Sequence, residues 1–136
     1  MIDNFVELFD QMSLASKVAT YEWISQQVFP TSKEKAQAIQ QALFEREEAG
    51  DIQIEECVIL PHLEHPALAK TQVWVIRPQQ PIIEWSERIS KVELLIVVLL
   101  AENETLAVKR QLADFMRQLA DPDYLDELKA GNFTER

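Results

Sequence analysis

The chain has 136 residues, of which 47% are hydrophobic and 26% are charged, and its formal net charge is −10. These values indicate one globular domain spanning residues 1–136 and exclude a disordered chain. Two glycines exclude a glycine-rich phosphate loop, one cysteine excludes an internal disulfide, and the negative charge argues against direct nucleic-acid binding.

The first residues and the longest apolar run bear on where the protein acts. The opening "MIDNFVELFD" is acidic from its third residue, unlike a signal peptide. The longest apolar run, Leu94–Ala101, is far shorter than the roughly 20 residues that a membrane-spanning helix needs. We expect a soluble, cytoplasmic protein without membrane insertion, whose charge could steer it towards a basic protein partner.

Helices are predicted in the first fifty residues. Apolar spacing predicts a helix over residues 4–12, with a short strand as the alternative. A second helix is expected to run to about residue 27, because a Phe-Pro pair follows. A third should cover residues 33–48 and end near Gly50. The residues that could cap the second and third helices are Ser13 or Ser16 and Thr31 or Ser32, respectively.

The pattern then changes to short apolar runs, which predict strands at residues 58–60, 71–78 and 82–85. Residues 92–100 are apolar almost throughout, which is typical of a central strand covered on both faces.

Helices return near the C-terminus. A stripe of apolar residues predicts a helix over residues 105–120, and Asp121, Pro122 and Gly131 would bound a last short helix. Helices before and after a set of strands indicate a sheet with helices on both faces. We therefore predict an α/β fold, a three-layer α/β/α domain with a mixed central sheet.

Both histidines lie in one stretch, "CVILPHLEH", residues 57–65. His62 follows a predicted strand and a proline, and ligand sites collect at strand ends in α/β sheets. A neutral imidazole nitrogen there could act as a nucleophile, or the ring could simply hydrogen-bond a loop carbonyl. His65 could tune such a site, but it also fits a loop histidine without a chemical role, because Pro66 follows it.

A metal site is a further interpretation of this stretch. Cys57, His62 and His65 would need carboxylates to complete it, and the two histidines lack the i,i+4 spacing of ligands on one helix face. We therefore expect neither a metal nor a cofactor.

The segment "REEAGDIQIEECVILPH", residues 46–62, resembles the motif R-E-x-x-G-x-T-G-I-G-x-G-I-A-I-P-H. That motif is typical of the fructose/mannitol-type (EIIA type-2) IIA domains of the bacterial phosphoenolpyruvate:sugar phosphotransferase system. The run "IVVLLAENE" and the helix "QLADFMRQLAD" also resemble that family, so the resemblance covers nearly the whole chain.

The resemblance implies a mixed sheet with helices on both sides and a role in carbohydrate uptake. His62 would accept a phosphoryl group from the phosphocarrier protein HPr and pass it to a cysteine of a IIB component, possibly with a IIC component in the membrane. Arg46 would stabilise the phosphate, since a guanidinium can hold phosphoryl oxygens bidentately. Glu47 also matches the motif, but a carboxylate at a helix end often serves only in structural pairing.

Several motif positions are not kept. Ile52 stands in place of the threonine, Ile59 in place of the alanine, and three glycines are replaced by Gln53, Glu55 and Cys57. We expect the loop to follow another path, because glycine serves where φ is positive or where backbones come close.

Two further differences concern the charge and rings near the site. By the same resemblance, Val108 stands where many members carry a second histidine. Glu55 and Glu56 would add negative charge near a phosphoryl group unless they point away.

These departures leave alternatives open. The chain could be a IIA-like regulatory module, such as the phosphorylatable domain of a sugar-operon regulator, which takes no part in transport. It could also be an unrelated soluble α/β domain in which His62 is structural.

Overall fold

The computed structural model describes residues 6–133, which contain four helices and eight strands. The helices are α1 (Lys17–Val28), α2 (Lys33–Ala49), α3 (Leu106–Gln118) and α4 (Pro122–Lys129). The strands are β1 (Val6–Met12), β2 (Gln53–Glu55), β3 (Val58–Ile59), β4 (His62–His65), β5 (Gln72–Pro78), β6 (Ile82–Ile83), β7 (Lys91–Val92) and β8 (Leu94–Ala101).

One mixed sheet organises the domain. Its strand order is β1-β5-β8-β3-β2, and β4 also pairs with β8. Strand β8 is antiparallel to β5 and parallel to both β3 and β4, whereas β1 is parallel to β5. Strands β6 and β7 form a separate hairpin-like pair. The predicted α/β fold with a mixed sheet is confirmed.

The central strand β8 separates two apolar layers, because successive side chains of a strand point to opposite faces. Leu95, Val97 and Leu99 pack with Tyr21, Ile24, Ile39 and Leu43 of α1 and α2. Leu94, Ile96 and Val98 pack with Phe115 of α3 and three buried residues of α4. Burial on both faces explains the nearly continuous apolar run of β8, and helices cover the sheet on both sides as predicted.

Helix starts follow the predicted caps. The Ser16 and Ser32 side chains accept hydrogen bonds from Ala19 N and Lys35 N, which satisfies donors that an α-helix leaves unpaired at its N-terminus. Thr105 and Asp121 do the same for α3 and α4, and Gly131 follows α4 with φ of 84°. No helix within residues 6–133 is long and apolar enough to cross a membrane.

The predicted helix over residues 4–12 is wrong in its described part, which forms the strand β1; residues 4 and 5 lie outside the described residues. Gln11 has φ of 56°, and the pairing register with β5 shifts between Phe9 and Met12. A bulge of this kind places Phe9 and Met12 on the same apolar layer although they are three residues apart. That spacing imitates a helix in the sequence.

Candidate phosphoryl-acceptor site

His62 opens strand β4, a strand that the sequence analysis did not predict. Residues 62–65 pair in parallel with residues 98–101 of β8. Pro61 lacks an N–H donor, but its carbonyl accepts the Val98 N–H at 3.0 Å, which lets the pairing continue past the proline. Within residues 6–133, β4 pairs with β8 only.

The hydrogen bonds of His62 determine its tautomer. Nδ1 lies 2.9 Å from the Leu60 carbonyl oxygen, which can only accept, so Nδ1 carries the proton. Nε2 lies 3.1 Å from Nη2 of Arg46, and a guanidinium can only donate. Nε2 is therefore the unprotonated nitrogen of a neutral, half-buried ring, and its lone pair points towards Arg46.

Arg46 lies in the last helical turns of α2, sixteen residues before His62. Its Nη1 donates to the Gly50 carbonyl at 3.3 Å, while Nη2 contacts Nε2 of His62. Gly50 ends α2 as predicted, but with an extended backbone (φ −179°) that any residue can adopt. Arg46 is half-buried, and its guanidinium lies beside Nε2 of His62.

An apolar cleft of about 310 Å³ adjoins His62 and Arg46. Strand alternation puts His62 and Glu64 on the face of β4 towards α3. The remaining walls come from the sheet and α3: Leu63, Val98, Leu100, Leu112 and Met116. The His62 ring thus lies beside a largely apolar cleft.

Glu47 is adjacent to Arg46 in sequence but lies outside this cleft. Its carboxylate accepts hydrogen bonds from Tyr21 Oη at 2.5 Å, Trp85 Nε1 at 3.1 Å and Lys17 Nζ at 3.2 Å. Its side chain is only 11% exposed. No direct contact joins Glu47 to His62 among these hydrogen bonds.

His65 ends β4, three residues after His62, so the two rings project from opposite faces of the strand. Its Nδ1 accepts the Ala67 N–H at 3.0 Å. The structure therefore brings Arg46 to His62 but leaves both Glu47 and His65 away from Nε2 of His62.

The substituted motif positions behave differently from one another. Cys57 keeps the left-handed backbone that a glycine would favour (φ 63°), whereas Gln53 and Glu55 lie in strand β2. Burial, with a smaller contribution from Glu93, raises the pKa of the Cys57 thiol. Glu55 and Glu56 are exposed, and the Glu55 carboxylate accepts a hydrogen bond from the Glu56 N–H at 2.9 Å. Within residues 6–133, no three His, Cys, Asp or Glu side chains lie close enough together to hold a metal ion.

Two features of the site escaped the sequence prediction. The Leu60 carbonyl fixes the tautomer of His62, and no side-chain pattern could reveal a backbone acceptor. Glu64 lines the cleft because His62–His65 is a strand, and its i,i+2 spacing from His62 was the available signal. Val108, where many members have a second histidine, is half-buried in α3.

Comparisons with known proteins agree with this architecture. The chain overlays the nitrogen regulatory protein IIA-Ntr from Neisseria meningitidis with a TM-score of 0.69 at 21% identity, covering 92% of this chain and 84% of that one. It overlays IIA mannitol from Escherichia coli with a TM-score of 0.56 at 20% identity, covering 90% and 95% of the two chains. A search of curated protein sequences finds no significant match.

The family model described as "Phosphoenolpyruvate-dependent sugar phosphotransferase system, EIIA 2" matches residues 9–135. This match covers most of the chain, including Arg46 and His62. The protein therefore belongs to the EIIA 2 family of the phosphoenolpyruvate-dependent sugar phosphotransferase system, whose domains are phosphotransfer components.

Proposed function

We propose that this chain is a cytoplasmic protein-histidine phosphocarrier. Nε2 of His62 accepts a phosphoryl group from an HPr-like phosphocarrier and passes it to a cysteine of a IIB component during carbohydrate uptake. The observation that carries this proposal is the pair of hydrogen bonds on His62, which leaves Nε2 unprotonated and beside the Arg46 guanidinium. Membership of the EIIA 2 family supports it.

The transfer step requires no proton movement at the acceptor. The Nε2 lone pair of His62 attacks phosphorus, the Nε2–P bond forms, and the N–P bond of the donor's phosphohistidine breaks. Nδ1 keeps its proton throughout, and the Leu60 carbonyl stabilises the positive charge that develops on the ring. Both donor and acceptor are side chains, so the exchange needs no nucleotide, metal or other cofactor.

Arg46 serves the same step electrostatically. In the resting protein its Nη2 donates to the Nε2 lone pair, so the guanidinium must move from that lone pair to the phosphoryl oxygens as the donor arrives. There it neutralises charge on the transferring group, which is the main contribution a protein makes to phosphoryl transfer. The flexible arginine side chain can make this shift without movement of α2.

The direct test is incubation with phosphoenolpyruvate, Enzyme I and HPr, followed by intact-mass measurement. Wild type should gain one phosphoryl group, labile to acid and stable to base. His62→Ala should gain none. His65→Ala is the matched control, since it removes the other histidine of the same strand and should be labelled as wild type is. An unlabelled wild type, or equal labelling of His62→Ala, would contradict the proposal.

A second candidate is a regulatory IIA-like module that accepts phosphate on His62 but does not donate it to a IIB component. The replaced motif residues Ile52, Gln53 and Glu55, with Val108 in place of a second ring, favour it. Transfer from the purified phosphoprotein to IIB domains separates the two candidates. Loss of the phosphoryl group to a IIB cysteine supports the carrier; a phosphoprotein that donates to no IIB domain supports the module.

A further inference from the structure

Glu47 is a nearly buried carboxylate to which the acceptor chemistry assigns no role. It receives three hydrogen bonds, from an ammonium, a phenol and an indole. The two aromatic donors are buried and contact each other edge-on, with 5.5 Å between the centroids of Tyr21 and Trp85. A carboxylate in such a place is costly to desolvate unless it is fully hydrogen-bonded, and apolar residues often stabilise a core at least as well. The hydrogen bonds around Glu47 therefore favour a role for this carboxylate other than stabilising the fold.

The three donors come from two parts of the fold. Lys17 and Tyr21 belong to the first turns of α1, and Trp85 follows β6. Glu47 itself lies in the last turn of α2, one residue after Arg46. The carboxylate thus fastens the C-terminal end of α2, a region where helices commonly fray, to two neighbouring elements.

The position of α2's last turn determines where the guanidinium reaches. Among residues 6–133, Arg46 contacts the Gly50 carbonyl just beyond the helix end and Nε2 of His62. Both contacts depend on the backbone of residues 46–50 staying in place. If the last turn of α2 unwound or rotated, the Arg46 guanidinium would move away from Nε2 of His62, and the hydrogen bond between them would be lost.

We propose that Glu47 is a positioning residue for phosphoryl transfer: through Lys17, Tyr21 and Trp85 it fixes the end of α2 so that Arg46 meets His62. This inference rests on the proposed acceptor role of His62. Glu47 touches neither the phosphoryl group nor the acceptor ring, so it acts through Arg46 alone. Misplacement of a catalytic group by about 1 Å costs up to about a hundredfold in rate.

The test compares Glu47→Gln with Glu48→Gln, an adjacent and exposed carboxylate. Glu47→Gln should lower the maximal rate of phosphorylation by HPr about tenfold with little change in the KM for the donor, whereas Glu48→Gln should match wild type. In an Arg46→Ala background, Glu47→Gln should have no further effect, because residues acting through one group are not additive. Equal effects in both backgrounds would overturn the inference.

A spectroscopic readout distinguishes positioning from general stability. The ¹⁵N resonance of His62 Nε2 should shift in Glu47→Gln towards its value in Arg46→Ala, because both variants release the same lone pair. If Glu47→Gln does not fold, Tyr21→Phe removes one donor while keeping the ring, and should shift that resonance and the rate in the same direction. Unchanged resonance and rate in the folded variant would overturn the inference. Absence of labelling on wild type would instead refute the acceptor role.

Discussion

Nη2 of Arg46 lies 3.1 Å from Nε2 of His62, and the Leu60 carbonyl lies 2.9 Å from the other nitrogen of the same ring. The cation and the backbone acceptor together select one neutral tautomer before any partner binds. The nitrogen that carries no proton is the one beside the positive charge. In the proposed phosphocarrier, this contact joins the nucleophile to the group that balances the charge of the phosphoryl oxygens.

Removing the guanidinium should slow phosphorylation of His62. We expect Arg46→Ala to reduce the rate of transfer from phosphorylated HPr by about 10²–10³-fold, the usual effect of losing one preorganised donor. Arg46→Lys should fall between that variant and wild type, because an ammonium keeps the charge but cannot bind two oxygens in a fork. Single-turnover mass measurements give the rates. Arg88→Ala, an exposed arginine elsewhere, is the control, and a wild-type rate in Arg46→Ala would contradict this role.

The left-handed backbone of Cys57 predicts an unusual order of stability between two variants. Both Cys57→Ala and Cys57→Gly lose the buried thiol, but only alanine retains a Cβ at φ of 63°. Glycine normally destabilises a folded protein relative to alanine, and a position with positive φ reverses that order. We expect Cys57→Gly to be more stable than Cys57→Ala by about 1 kcal/mol in urea unfolding. The opposite order would show that the backbone relaxes out of this conformation.

Tyr21 should make the protein sensitive to alkali. Burial, reinforced by the hydrogen bond to Glu47, raises the pKa of Tyr21 far above its ordinary value of 10.0. Below that value both folded and unfolded chains keep the proton and the stabilisation is complete; above it only the unfolded chain releases the proton. Stability is therefore lost as pH rises above about 10, by up to about 1.4 kcal/mol per pH unit.

The measurement is the free energy of unfolding of wild type and Tyr21→Phe as a function of pH. A range of roughly pH 8 to 11 brackets the ordinary tyrosine pKa. The variant should lose stability less steeply with rising pH than wild type. Parallel slopes would mean that Tyr21 ionises as easily in the folded protein as in the unfolded chain.

The layer between α2 and the sheet should be sensitive to truncation. Ile39 is fully buried against β8, so Ile39→Ala should cost about 2–5 kcal/mol in urea unfolding, the range for large-to-small changes in a core. Val18 of α1 is 55% exposed, and Val18→Ala should change stability by no more than about 0.5 kcal/mol. Similar small losses in both variants would argue against the packing described for α2.

The helices and the central strand could be predicted because their signals are local. Ser16, Ser32 and Asp121 cap helices by side-chain hydrogen bonds within a few residues, and β8 is apolar because both of its faces are covered. Strand β1 could not be predicted as the preferred state, because its bulge at Gln11 replaces the alternation of a regular strand.

The site was predictable in part for a similar reason. The spacing of Arg46 and His62 is visible in the sequence, and the resemblance to IIA domains predicted that the two residues act at one site. The hydrogen bonds of Glu47 depend instead on how side chains far apart in sequence meet. The Leu60 carbonyl is close in sequence to His62, but it is a backbone group that no side-chain pattern reveals. Strand β4 was missed because Pro66 and Pro61 flank it, although pairing with β8 outweighs both prolines.

The most direct measurement of the central claim is NMR of the protein with ¹⁵N-labelled histidine rings, phosphorylated by Enzyme I and HPr. The account predicts phosphorus coupling to Nε2 of His62, with Nδ1 of that ring still bearing its proton, and no coupling in the ring of His65. Coupling to Nδ1 of His62, coupling in His65, or an unmodified His62 ring after complete incubation would contradict it.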